Sequence, residues 1–192
     1  MNVRELLLKN RSYRRFFQEE KITTNELLTI VESTRYAPSP ANKQPLQFIL
    51  VNRDEYNNML FPHLNWAAYL KDWQGPEEGE RPAAYIVMLG DRSMSPFIDW
   101  DYGIALQTIL LSAVEMGYGG CAIASFNKEK VRELFNIGEA LEIPGVIALG
   151  KPKESVVIDD AKDGDIKYWR DDEQVHHVPK RILGDLIYGI LE

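Results

Sequence analysis

Cysteine is nearly absent from this sequence. Cys121 is the only one, which excludes an internal disulfide and a cysteine-based zinc site. Histidine is scarce too: His63 stands alone, and the adjacent His176 and His177 point to opposite faces of an extended segment, so they cannot chelate one ion together. No metal site is expected, and the histidines read as surface or capping residues. Long apolar runs are missing. Leu6-Leu7-Leu8 is too short for the core of a signal peptide, and Ile104 to Val114 is broken by Gln107, Thr108 and Ser112, short of a membrane span. Without an export signal, Asn10-Arg11-Ser12 matches a glycosylation sequon only by chance, and the cytoplasm is the expected compartment. Positive charge is in deficit, with 22 Lys and Arg against 29 Asp and Glu and a net charge of −7. Such a surface repels polyanions, so neither nucleic acid nor a membrane is expected as a partner.

What the chain does contain is an ordinary globular composition, 45% hydrophobic and 27% charged over 192 residues. That is enough for one domain spanning 1–192 with its own core. Val3 to Lys9 reads as a short helix. Thr23 and Glu26 have capping-box spacing ahead of Leu27, Ile30, Val31 and Thr34 on one helical face, and that helix should end before Pro38. Gln47 to Val51, Ala83 to Leu89, Cys121 to Ala124 and Val146 to Gly150 read as buried strands. Between them, helices are expected near Asp54 to Leu60, His63 to Trp73 and Asp99 to Met116, with another capped by Asn127. Val156 to Asp172 reads as acidic and irregular, and Pro179 as the opening of a last helix bearing Ile182, Leu183, Leu186, Ile187 and Ile190. Strands alternating with helices predict an α/β (α+β) fold, a mixed central sheet covered by helices on both faces. Cys121 reads as a small buried strand residue, with no neighbour that would activate its thiol.

Several motifs fail on context. Gly117-Tyr118-Gly119-Gly120-Cys121-Ala122 matches the dinucleotide fingerprint letter for letter, but its glycines follow a helix and precede a strand, the reverse of what a pyrophosphate needs. There is no Walker A loop, and the aspartates at 159–165 miss EF-hand spacing.

Two segments carry distinctive chemistry. Lys9 to Arg15 holds four cations and no acid, interleaved with Ser12 and Tyr13 and running into Phe16-Phe17. Guanidinium and hydroxyl groups at Arg11, Ser12 and Arg14 suit a phosphate, each charge-assisted hydrogen bond being worth about 1.5–3 kcal/mol. The second segment, Ala37-Pro38-Ser39-Pro40-Ala41-Asn42-Lys43-Gln44-Pro45, is a proline-stiffened turn that presents Ser39 and Asn42 as rigid polar groups. Asn42 can both donate and accept.

The pattern R-S-x-R-x-F at Arg11–Phe16, then A-P-S-x-x-N-x-Q-P at Ala37–Pro45, then G-x-G-G-C-x-I at Gly117–Ile123 resembles the FMN-dependent nitroreductase family, in order, from Arg11 to about Gly150. The resemblance implies a three-layer sandwich that forms an intertwined homodimer, with FMN bound tightly in two sites at the subunit interface. Arg11 and Ser12, with Tyr13 beside them, would hold the phosphate end, and Arg14 would lie near the N1/O2 edge of the ring. Pro38, Ser39, Pro40, Asn42 and Gln44 would come from the other subunit. Backbone N–H groups of Ala124 and Ser125 would face N5 and O4, and Lys180 and Arg181 would add phosphate contacts. It also implies NADH or NADPH as donor, small electron-poor acceptors such as nitroaromatics or quinones, and ping-pong turnover in which no histidine is needed. Rival readings are a family member acting on a non-nitro substrate and a low-turnover flavin-binding protein for storage or sensing.

Leu46 departs from the Trp common in the family after Gln-Pro. Residues 63–73 have no family counterpart, and 63–80 could be a lid insertion. Trp66, Tyr69 and Trp73, at i, i+3 and i+7, would form one helical stripe, packed on the core or a partner or else lying over the flavin as a substrate platform. Residues 175–192 read as a C-terminal extension that could wrap the partner.

Overall fold

The computed structural model describes residues 1–192. Its helices are α1 (Val3–Lys9), α2 (Thr24–Glu32), α3 (Asp54–Leu60), α4 (Ile98–Glu115), α5 (Lys128–Phe135) and a single turn, α6 (Leu183–Leu186). The strands are β1 (Phe16–Phe17), β2 (Leu46–Val51), β3 (Ala84–Asp91), β4 (Gly119–Ile123), β5 (Leu141–Pro152), β6 (Val156–Asp160), β7 (Trp169–Arg170) and β8 (His176–Lys180). The caps fall where the sequence puts them. Thr23 and Glu26 form a reciprocal capping box, and the Asn127 side chain accepts from the N–H of Lys130.

The α+β sandwich is organised by β3, whose side chains alternate between two layers. Ala84, Ile86 and Met88 pack with Leu27 and Ile30 of α2 and Ala105, Ile109 and Ala113 of α4. Tyr85, Val87 and Leu89 face the other way, against Leu60 of α3 and Val131 of α5. The central sheet runs β2-β3-β5, with β1 and β4 both pairing with the long β5. All four of these ladders are antiparallel, and one parallel bridge, Ser12 to Gly120, ties the N-terminal arm to β4. A Cβ at Gly119 would sit 2.5 Å from the Tyr13 ring, and one at Gly120 would sit 2.7 Å from Leu110 and 2.8 Å from the Ala148 carbonyl. The glycines that mimic a dinucleotide motif are therefore packing glycines.

Three expectations are corrected. Residues 63–73 are not helical. After a short 3-10 turn at Phe61–His63 the chain extends so that Leu64 bridges Phe126, and Ala67 takes a left-handed φ of 38°. Residues 156–172 are not wholly irregular, because β6 and β7 flank β8 in a second sheet whose β6-β8 ladder is parallel. Pro179 opens no helix. It lies inside β8 beyond the reach of β7, which pairs only with His176 and His177, so its missing N–H breaks no bond on that side.

A histidine clamp closes the second sheet. His177 stacks on Trp169 at 4.8 Å, with Nδ1 2.9 Å from Asp159 and Nε2 3.2 Å from Asp171. Only the imidazolium donates from both nitrogens, so hydrogen bonding to Asp159 and then Asp171 raises its pKa above the ordinary 6.5. The clamp's stabilisation is complete below that value and is lost as pH rises through the raised folded-state value. Thermal unfolding followed from about pH 5 to about pH 9 should show the native protein losing stability on the alkaline side, with His177→Gln lacking that loss. Parallel profiles for the two proteins would contradict the clamp.

Candidate active site

The N-terminal arm is fixed by a buried carboxylate. Glu154, in the short link between β5 and β6, accepts from the backbone N–H of Arg14 and, at 3.1 Å, of Arg15. Its other oxygen takes a hydrogen bond of 2.8 Å from Arg170, in an ion pair whose side chains are only 9% and 1% exposed. Arg170 also lies 4.3 Å above the Trp73 ring. Arg15 is spent on Glu80, whose carboxyl is held down to about 2 by that guanidinium and by Lys153.

These anchors leave the other arm residues facing a cavity of about 340 Å³. Asn10, Arg11, Ser12 and Arg14 line it from the arm, Gln107 and Leu110 from α4, and Val156, Tyr168, His176, Val178 and Lys180 from the second sheet. Arg11, Arg14 and Lys180 belong to none of the chain's ion pairs. Arg11 donates to the Leu7 carbonyl at 2.7 Å, but its buried Nε has no partner. Burial lowers its pKa from the ordinary 12.5, the expected direction for a cation short of counter-charge. Arg14 donates to the Ser12 carbonyl at 3.2 Å, sits 3.2 Å from His176 Nε2 and lies 5.0 Å above the Tyr168 ring.

The proline turn lines a second, larger cavity of about 620 Å³. Pro38, Ser39, Asn42 and Gln44 face it together with Arg35, Leu46 and Asp101, Ile104 and Ala105 of α4. Ala41, Asn42 and Gln44 all have left-handed φ, of 50°, 54° and 50°. The turn is held by the Gln44 N–H donating to Ser39 Oγ at 2.9 Å and by the Gln44 amide donating to Asn42 Oδ1 at 3.1 Å. Such strain persists where surrounding structure over-determines it, often at ligand clamps. Asp101 is 95% buried there, and its Oδ2 has no partner.

The two sets of expected residues thus lie in different cavities along α4 and share no lining residue. Ala124 and Ser125 follow β4 on the surface. The Ser125 carbonyl is taken by the Asn65 N–H at 3.0 Å, while the N–H groups of Ala124 and Ser125 donate to nothing in the chain. Tyr13 turns away from the cavity, packs over Gly119 and donates to the Lys9 carbonyl. Pro40 lines neither cavity, and Arg181 bonds back to the Asp185 carbonyl. Alternation along β8 explains that split, since 176, 178 and 180 share a face and Lys180 alone of the expected pair reaches the cavity. Trp66 packs against the core with its ring under Gly75, Tyr69 meets Tyr168 at 4.9 Å, and Trp73 backs Arg170, so the three form no stripe. Sequence reasoning missed His176 and Asp101. His176 was expected at the surface and is fully buried in the anion cavity, its pKa depressed to about 4 by burial and by Arg14 and Arg170.

The Nitroreductase family profile matches residues 7–151. The chain belongs to the nitroreductase family. Among curated relatives, an Archaeoglobus fulgidus protein with the provisional name NADH dehydrogenase/NAD(P)H nitroreductase is 27% identical over 157 residues, covering 78% of this chain and 85% of its own. A nitroreductase family protein from Clostridium difficile 630 superposes with a TM-score of 0.66 at 25% identity, over 80% of this chain and 86% of its own. A provisionally named nitroreductase from Exiguobacterium sibiricum 255-15, solved in complex with FMN, has a TM-score of 0.65 at 20% identity, over 80% and 90% of the two chains, and so shares the fold. Membership makes this chain an oxidoreductase, and no helix in it is long and apolar enough to cross a membrane.

The donor set of the smaller cavity fits a phosphate monoester. It offers three cations outside any ion pair, the Ser12 hydroxyl and an orphaned buried nitrogen at Arg11. That cavity depends on Glu154, and removing one partner of a buried ion pair leaves an uncompensated charge costing about 3–5 kcal/mol. Glu154→Ala should lower unfolding stability in urea by about that amount, and a loss under about 1 kcal/mol, the range of a surface pair, would show that the carboxylate is not the anchor.

Proposed function

We propose that this chain binds FMN tightly and works as an NAD(P)H-dependent reductase of small electron-poor acceptors such as nitroaromatics or quinones. The observation that carries the reading is the pair of half-buried guanidiniums at Arg11 and Arg14, joined by the exposed Lys180 at the rim of one small cavity whose lining holds no acid to neutralise them. Unpaired positive charge of that kind is costly unless an anion completes it.

Arg11, Ser12 and Lys180 would hold the phosphate. From Gly120, beside Ser12, to Ala124 the chain advances four residues along β4, roughly 13 Å of extended backbone. The free N–H groups of Ala124 and Ser125 therefore stand well away from the phosphate, where the ring's N5 and O4 would lie. Arg14, between the two ends, would stabilise negative charge on the ring's pyrimidine side. FMN, when bound, would supply electron transfer between a nicotinamide donor and the acceptor, with the ping-pong turnover the reading implies. The residues supply position and charge fixed in advance, and none acts as an essential acid or base.

We further infer a homodimer in which Pro38, Ser39, Asn42 and Gln44 of one chain face the anion cavity of the other. One chain alone exposes 11614 Å², against about 9300 Å² for a compact monomer of this mass, an excess of about 2300 Å² in the range of obligate dimer interfaces. The excess is apolar where it matters. α1 has no buried residue although Leu7 and Leu8 lie on it, and Trp100 on α4 is 69% exposed. Leu183, Leu186, Ile187, Ile190 and Leu191 in the tail are also uncovered. A low-turnover flavin carrier is the alternative, and NAD(P)H oxidation by purified holoprotein with and without acceptors separates the two.

The purified protein should be yellow and release FMN on denaturation. Arg11→Ala should weaken FMN binding by about 1.5–3 kcal/mol in a fluorescence titration of the apoprotein. An unchanged affinity would remove Arg11 from the site, and a native protein that takes up no FMN would overturn the function.

A further inference from the structure

His176 is the one buried group in the anion cavity that the reading above leaves without a task. It is fully buried, with its ring 5.2 Å from the Tyr168 ring, and Tyr168 in turn carries Arg14 at 5.0 Å on its face. Its Nε2 lies 3.2 Å from an Arg14 guanidinium nitrogen. The remaining Arg14 contact is the Ser12 carbonyl. Every partner of that guanidinium is thus an uncharged group, provided His176 is neutral. The nearby carboxylate, Glu154, is committed to two backbone N–H groups and to Arg170.

We propose that His176 is a positioning residue, a neutral acceptor that fixes the Arg14 guanidinium in the cavity through Nε2 without cancelling its charge. This rests on the FMN reading, because the charge so preserved is the one that would meet the cofactor. A carboxylate in the same place would hold Arg14 more tightly but neutralise it, and an aliphatic side chain would leave it unheld. The groups facing His176 enforce the neutral form. Arg14 and Arg170 bring positive charge from the arm and β7, His177 adds to it next door, and Tyr168 covers the ring. With Nε2 accepting, the proton must sit on Nδ1, which is buried and has no partner in the chain. The device spans 162 residues, and its histidine lies outside the segment matched by the family profile.

Two measurements test it. The apoproteins of native, H176Q and H176E are titrated with FMN and, separately, with inorganic phosphate, and the midpoint potential of bound flavin is measured for each. Gln keeps a neutral acceptor, so H176Q should stay within about threefold of native affinity, whereas H176E should bind at least about tenfold more weakly, the scale of one charge-assisted hydrogen bond. Its flavin potential should also be more negative, since reduced flavin loses its cation. H176Q falling as far as H176E, or H176E matching native, would overturn the proposal. The second measurement is ¹⁵N NMR of the native protein near neutral pH, where His176 should appear as the neutral Nδ1–H tautomer; an imidazolium or an Nε2–H tautomer would overturn it. If native protein binds neither FMN nor phosphate, the cofactor reading fails, and the tautomer alone decides the role of His176.

Discussion

The buried Glu154 carboxylate joins three separated parts of the chain. Through one oxygen it holds the backbone of Arg14 and Arg15, and through the other it holds Arg170 in the second sheet. The arm between α1 and β1 therefore cannot shift relative to β7 and β8, and the cavity between them has fixed walls. Because Glu154 and Glu80 satisfy Arg170 and Arg15, the remaining cations of the arm go without acids. Of the chain's 29 acidic residues, none lines that cavity and none forms an ion pair with Arg11 or Arg14. A small cavity with a surplus of fixed positive charge is the result, inside a protein whose net charge is −7.

The second constraint is incompleteness. The strained turn at residues 38–45 and the orphaned Asp101 line a cavity with nothing in the chain to fill it, and the anion cavity lies elsewhere along the same helix. α4 is thus the common wall of two cavities, one basic and one lined by the rigid polar turn. Pairing two chains across α1, α4 and the C-terminal tail would cover the apolar surface they leave exposed and bring unlike halves together.

Much of this is legible in the sequence where the signal is local. The Thr23–Glu26 capping box, the Asn127 cap and the continuous apolar run of β3 each depend on residues within a few positions, and each holds in the structure. The arm and the proline turn are legible because their chemistry is concentrated in short runs. Longer-range demands defeat local pattern. Residues 63–73 have helical spacing, but Leu64 and Asn65 are needed to pair with the loop after β4, and Ala67 leaves the helical region. Leu183 to Ile190 keep helical periodicity, but Gly184 and Gly189 each cost about 1 kcal/mol in a helix and no surface of the chain takes up the apolar face. His176 and Asp101 carry no motif at all. Their roles arise from contacts with residues far away in sequence, and only an orphaned nitrogen and an orphaned oxygen mark them.

In the proposed dimer, each site is assembled from the arm of one chain and the turn of another. Subunit complementation tests it directly. One variant, Arg11→Ala with Arg14→Ala, loses the basic half, and a second, Ser39→Trp, blocks the turn half; neither should retain FMN alone. If the two are unfolded, mixed in equal amounts and refolded, half the dimers are mixed, and each mixed dimer has one site with both halves native. FMN binding should then return to about one quarter of all sites, as the two-fold symmetry of a shared interface requires. No recovery on mixing, or full FMN retention by Ser39→Trp alone, would contradict a site built from two chains.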